Sequence, residues 1–194
     1  GRAEVIVGNV YSTPLNVHEF DGSFRWSTLE QVGAEGNATT PRRGIGLTQL
    51  RLADLDDDGR QEIIYGTEDG WLYAVDPLEG DEVWQLNVVG SVISLEITDD
   101  GVMAANEFGD VYVISRTGKI LAHRQVSERI RCATPSGDEL ALATEGGQLL
   151  WLDANCEVVG SAHVEGGEIR QLFAAGVDVV CVLEDDTIGA LLLS

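Results

Sequence analysis

From about residue 47 onward the chain is built of short runs that either alternate apolar and polar residues or stay apolar throughout, with small polar turns between them. Alternation with period two puts successive side chains on opposite faces of an extended backbone, so each run predicts a β-strand. The clearest runs are 83–88, 92–97, 102–105, 120–126, 130–133, 140–143, 158–164, 169–173 and 179–183. None approaches the roughly 20 apolar residues that a membrane-spanning helix needs.

The runs also repeat. Segments 67–76 (TEDGWLYAVD), 106–115 (NEFGDVYVIS), 144–153 (TEGGQLLWLD) and 183–192 (LEDDTIGALL) align without gaps, their starts 39, 38 and 39 residues apart. Each has glutamate second (Glu68, Glu107, Glu145, Glu184), and three have glycine fourth (Gly70, Gly109, Gly147). A turn glycine followed by alternating hydrophobicity signals a hairpin. Each period carries one strand pair before the hairpin and an outer strand after it. Four short strands in about 40 residues is the spacing of a β-propeller blade. The predicted fold is therefore all-β, with about four to five blades of four antiparallel strands, belonging to a larger propeller of seven or eight blades.

A second repeat, offset by 58, matches Gly1, Arg2, Glu4, Ile6, Gly8, Val17, Gly22 and Trp26 to Gly59, Arg60, Glu62, Ile64, Gly66, Val75, Gly80 and Trp84. The excess over one blade length predicts a polar insertion. The resulting division is a partial first blade at 1–31, an insertion at 32–46, blades at 47–89, 90–127 and 128–165, and a partial fifth blade at 166–194. A further prediction is that an Asp-rich loop precedes Gly1 in the natural polypeptide, which would then continue into further blades.

Composition narrows the partners. The 194 residues are 44% hydrophobic, enough for a sizeable core, and carry a formal net charge of −21 with Lys119 as the one lysine. Such a surface repels nucleic acid and anionic lipid, both of which are bound through clustered cations. Cys132, Cys156 and Cys181 are widely spaced and odd in number, so they read as small buried hydrophobes and suggest neither a disulfide framework nor a zinc site.

The most specific chemistry lies in ADLDDDGRQEIIYG, residues 53–66. Asp54, Asp56 and Asp58 take loop positions 1, 3 and 5, followed by Gly59 at 6, the Arg60 carbonyl at 7 and Glu62 at 9. Alternating oxygen donors around a sharp turn suit a hard cation. Tyr65 stands at position 12, and an apolar strand follows where an EF-hand would have a helix. The stretch resembles the calcium loop of FG-GAP repeats, the integrin α-subunit type. That resemblance implies Ca2+ as the ligand and Asp54, Asp56, Asp58, Arg60 through its carbonyl, and Glu62 as the metal ligands, with Asp57 pointing outward.

The hairpin LYAVDPLEGDEVW also resembles the repeat of quinoprotein (PQQ) dehydrogenases and their non-enzymatic relatives, through Ala74, Asp76, Gly80 and Trp84. Glu79 stands where threonine is usual. The resemblance implies that Trp84, and Trp26 at the repeated position, dock between neighbouring blades; Ala122 or Gly160 stands near this position in later blades.

Catalytic machinery is not apparent. His123 and His163 fall on outer strands at near-equivalent repeat positions, where solvated residues are expected, and His18 has no evident nucleophile partner. Asn37 begins a glycosylation sequon, and Arg42 and Arg43 are adjacent cations, all in the insertion. The expected function is a non-enzymatic, calcium-binding propeller that recognises a protein or a glycan, with no nucleic acid and no membrane insertion. The alternatives are a quinoprotein-like, PQQ-dependent dehydrogenase and a metal-free intracellular scaffold. The calcium loop implies an extracellular or cell-surface setting, whereas unpaired cysteines imply the cytoplasm.

Overall fold

The computed structural model describes residues 4–8, 15–28, 46–164, 168–175, 178–184 and 188–191. Gly1, Arg2, the Glu4 side chain, Asn37, Arg42 and Arg43 lie outside the described residues, as does the insertion before Gly46. Among the described residues the regular structure is entirely β, and no helix is long and apolar enough to cross a membrane.

Strands β1 (Glu4–Gly8), β2 (Leu15–Glu19) and β3 (Phe24–Ser27) form the first sheet. The second holds β4 (Leu47–Ala53), β5 (Glu62–Thr67), β6 (Trp71–Val75) and β7 (Glu82–Asn87), and the third β8 (Val92–Thr98), β9 (Gly101–Asn106), β10 (Asp110–Ser115) and β11 (Ile120–Gln125). The fourth contains β12 (Ile130–Ser136), β13 (Glu139–Thr144), β14 (Gln148–Leu152) and β15 (Val158–His163), and the last β16 (Ile169–Ala175), β17 (Asp178–Leu183) and β18 (Ile188–Leu191). Every sheet is an antiparallel meander with its strands paired in chain order. These sheets are the blades of a β-propeller, as the periodicity predicts.

Burial explains why β5, β9 and β13 read as apolar between their end residues. All six residues of β5 and of β9 are buried. Because successive side chains face opposite ways, both faces of those strands are covered, unlike a sheet with one solvated side. The outer strands β11 and β15 instead show only alternate half-buried positions.

The chain divides into two compact units, Gly1–Val92 and Ile93–Ser194. In the first, Leu15, Val17, Trp26, Ile63, Tyr65, Tyr73 and Val75 make one core. In the second, one core gathers around Val111, Leu142 and Leu152 and another around Leu149, Trp151, Ile169 and Cys181. Each fully buried leucine or valine contributes about 1.5–3 kcal/mol.

The recurring hairpin is held by a recurring set of bonds. In three of the four aligned segments the first residue is buried and its side chain accepts the backbone N–H four positions on. Trp71 N donates to Thr67 Oγ1 at 3.0 Å, Asp110 N to Asn106 Oδ1 at 2.9 Å and Gln148 N to Thr144 Oγ1 at 3.2 Å. The outer strand then closes on the turn glycine: Val88, Val126 and Val164 donate to the carbonyls of Gly70, Gly109 and Gly147. Those glycines have φ of 83°, 100° and 79°, a region that side chains with a Cβ rarely adopt. The repeated glutamates have a role in the second unit, where Arg129 pairs with Glu107 at 2.5 Å and Glu145 at 3.5 Å, and Arg131 pairs with Glu168 and Glu184.

Trp26 packs as the repeat resemblance implies. Its Nε1–H donates to the Pro77 carbonyl at 3.0 Å, and a Cβ on Gly80 would stand 2.7 Å from the indole ring. Glycine is therefore required by the close approach of the tryptophan from the preceding blade.

Candidate functional site

Strand β4 ends at Ala53 and β5 begins at Glu62, and the loop between them turns on its own carboxylates. Leu55 is buried and anchors the loop to the blade. Asp54 receives two backbone N–H groups, from Asp58 at 3.1 Å and Gly59 at 2.9 Å. Asp58 N also points to Asp56 Oδ1 at 3.2 Å, and Arg60 N donates to Asp58 Oδ1 at 2.8 Å. These short-range bonds fold an Asp-rich sequence into a tight turn without help from distant residues. Asp57 is exposed at the apex with φ 62°.

Asp54, Asp56 and Asp58 each present a carboxylate oxygen, and the three lie within 4.8 Å of one another. Oxygens on opposite sides of a calcium ion stand about 4.6–5.2 Å apart, so the three atoms fit one coordination shell. An all-oxygen donor set of this kind suits a hard cation and not a thiophilic metal.

The side chains of Glu62 and Arg60 are bonded within the same loop. Glu62 is buried and its Oε2 accepts the Leu55 N–H at 2.7 Å, closing the base of the loop. The Arg60 side chain folds back on the turn, with Nε and Nη2 donating to Asp58 Oδ2 at 2.8 and 2.5 Å. The structure thus brings three aspartates together, and Glu62 bonds the backbone of the same loop at Leu55.

Electrostatics follow from these contacts. The Arg60 guanidinium bonded to Asp58 holds that carboxyl below the usual aspartate range. Burial pushes the Glu62 carboxyl above the ordinary glutamate value; the Leu55 N–H opposes this, and the charges of Asp56 and Asp54 add to it. A cation at the turn would relieve the crowding of Asp54, Asp56 and Glu62 together.

The histidines are placed at strand positions. His123 Nε2 lies 2.8 Å from Asp110 Oδ1, and its ring stacks on Tyr112 with centroids 4.5 Å apart. His163 is exposed on β15, and His18 meets Phe24 edge to face. Cys156 and Cys181 are buried and Cys132 half-buried, in line with a packing role. The Thr67, Asn106 and Thr144 positions were not singled out from sequence as structural acceptors, although the aligned repeats place a small polar residue first in three segments.

Comparison with known proteins places these blades. No curated protein matches the chain. Among solved structures, the computationally designed Ika8 protein superposes with a TM-score of 0.76 at 18% identity, covering 98% of this chain and 55% of its own. The designed Ika4 protein gives 0.64 at 18% identity, over 84% of this chain and 96% of its own. A chain from the crystal structure of BBS1N in complex with ARL6DN gives 0.71 at 11% identity, over 97% of this chain and 60% of its own. The chain thus spans little more than half the length of Ika8, and at these identities the likeness is one of fold. Residues 68–191 match the PQQ-type repeat model described as outer membrane protein assembly factor BamB. Because that match takes in well over half of the sequence, the chain belongs to the PQQ-like repeat family that this model describes.

Proposed function

We propose that the chain is a non-enzymatic propeller module that recognises a protein partner and is stabilised by a calcium-class cation in the β4–β5 loop. The observation that carries the metal reading is the convergence of Asp54, Asp56 and Asp58 oxygens within 4.8 Å. Its spacing, with Glu62 and the Arg60 carbonyl as the remaining donors, is that of an FG-GAP loop. The family description, an assembly factor, supports a role in bringing proteins together. We propose also that these are blades of a longer propeller, a reading supported by the 55% and 60% coverage of the matched Ika8 and BBS1N-complex chains.

A second reading, a quinoprotein-like dehydrogenase, is favoured by the PQQ-type repeat itself. Thermal unfolding in calcium, in chelator and with added pyrroloquinoline quinone separates the two. Calcium at a hundredfold excess over its dissociation constant stabilises by about 2.7 kcal/mol if it binds only the folded chain. Stabilisation by calcium alone supports the module; a further shift with quinone supports the dehydrogenase; no response to calcium or chelator removes the metal from the account.

A further inference from the structure

We infer that the β10–β11 hairpin is a docking edge for an extended acidic segment of a partner protein, an inference that rests on the recognition reading and names the partner's chemistry. Four described hairpins lead into the outer strand of a blade, and three of them have acidic tips: Asp21 after β2, Asp76, Glu79 and Asp81 after β6, and Asp153 and Glu157 after β14. After β10 the tip is instead Arg116, Thr117, Gly118 and Lys119, without a carboxylate. From Val111 to Ser127 the sequence holds none of the chain's 33 acids, yet it includes the one lysine. The charge of this hairpin is therefore reversed relative to its three equivalents.

The turn itself does not require the reversal. Asp153 Oδ1 accepts the Glu157 N–H at 2.8 Å, and at the aligned position Ser115 Oγ accepts the Lys119 N–H at 3.1 Å. The backbone closes alike, Asp153 N to Glu157 O at 3.0 Å and Ser115 N to Lys119 O at 2.8 Å. Hydroxyl and carboxylate build the same turn, so the cations serve something beyond it. Lys119 is exposed and has no ion pair among the described residues, while Arg116 is held at the tip by the Asp99 carbonyl at 3.3 and 3.1 Å.

Apolar surface adjoins these cations. Ile120 and Leu121 are 48% and 57% exposed, Leu121 being the extra residue of a bulge between the pairs Val113–Ala122 and Ile114–Ile120. Val83, Val158 and Val159 are exposed at the corresponding place in two other blades, but beside Glu82 and Glu157. In the first blade Phe24 adjoins Arg25, which is paired with Glu19 at 2.7 Å. Strand β11 ends its sheet, so an extended segment laid along it meets an open backbone edge, two apolar side chains and two cations. Carboxylates on that segment are the complement. More distant charges are screened over roughly 8 Å at physiological ionic strength, so the cations at the contact outweigh the acidic remainder of the chain.

The probe is the peptide acetyl-Glu-Val-Glu-Val-Glu-amide, whose β-branched valines favour an extended backbone, titrated at physiological salt into the full chain labelled at its backbone amides. Acetyl-Gln-Val-Gln-Val-Gln-amide is the neutral control of equal shape. The expected result is that the acidic peptide shifts the amides of Lys119, Ile120 and Leu121, and that the neutral peptide binds about tenfold more weakly. Lys119→Glu gives this hairpin the charge sign of the other three and changes an exposed side chain. It should weaken binding of the acidic peptide by about tenfold or more while thermal unfolding stays where it was. Equal response to both peptides, no response at millimolar peptide, shifts as strong at Val83 and Val159, or undiminished binding by a folded Lys119→Glu chain would overturn the docking edge. If Lys119→Glu unfolds early, the pair of peptides on the natural chain decides alone. Calcium stabilisation through the β4–β5 loop is read separately on the same sample, so failure of the hairpin and failure of the module reading are distinguishable.

Discussion

Trp151 on β14 stands directly across the strand pair from Gly160 on β15. The equivalent pairs in other blades are Val17 with Trp26, Ala74 with Trp84, and Val113 with Ala122. In the first two blades a tryptophan on the outer strand faces a smaller residue; in the fourth it has moved to the partner strand, and glycine fills the vacated position. Cross-strand partners share one face, so the transposed indole still fills the core with Ile169, Leu172, Val179 and Cys181. We expect Trp151→Ala to cost about 3–5 kcal/mol, read from the urea midpoint at unchanged slope. Gly160→Ala should be tolerated, since its Cβ would meet the indole at an ordinary 3.5 Å.

Gly80→Ala should behave in the opposite way. Its φ is +73° and the added methyl would enter the Trp26 ring. Overpacking with backbone strain costs about 1–3 kcal/mol, and the same urea experiment measures it. A variant as stable as the natural chain would show that Trp26 does not dock there.

Thr144 tests the repeated turn. Its hydroxyl accepts the Gln148 N–H and donates to Glu128, and the residue is buried. Thr144→Val keeps the shape and leaves the N–H without its acceptor, at a cost of about 1–3 kcal/mol. Local amide exchange at Gln148 should accelerate with it.

The thiols give a pH dependence. Burial pushes Cys132 and Cys156 each from 9.0 up to about 11. The unfolded chain therefore releases these protons first as pH rises, and stability falls between about pH 9 and pH 11. The fall should be smaller in Cys132→Ala/Cys156→Ala, measured by denaturant titration at both ends of that window. Alkylation by iodoacetamide at pH 8 should be more than about tenfold slower in the folded chain than in urea.

Much of this was legible in the sequence because the hairpin is local. The glycine, the alternating strand and the fixed spacing are all carried by neighbouring residues, and the strands at 102–105, 140–143 and 179–183 were found by pattern alone. The transposed tryptophan was not, because aligning repeats column by column compares Trp84 with Gly160 and never with Trp151. The bridging roles of Glu107 and Glu145 were hidden for a similar reason: Arg129 lies in a segment outside the aligned hairpins. At the loop, spacing identified the three converging aspartates, whereas the bond from the Leu55 N–H to Glu62 Oε2 depends on how the loop folds back on itself, which spacing does not encode.

Capture of a divalent ion by the β4–β5 turn is checked by calorimetric titration of calcium into the chelator-stripped chain. One site per chain that disappears in Asp56→Asn, with the variant still folded, is the result expected from the three converging carboxylates. Absence of binding heat across several temperatures, or a site that survives Asp56→Asn unchanged, would contradict it.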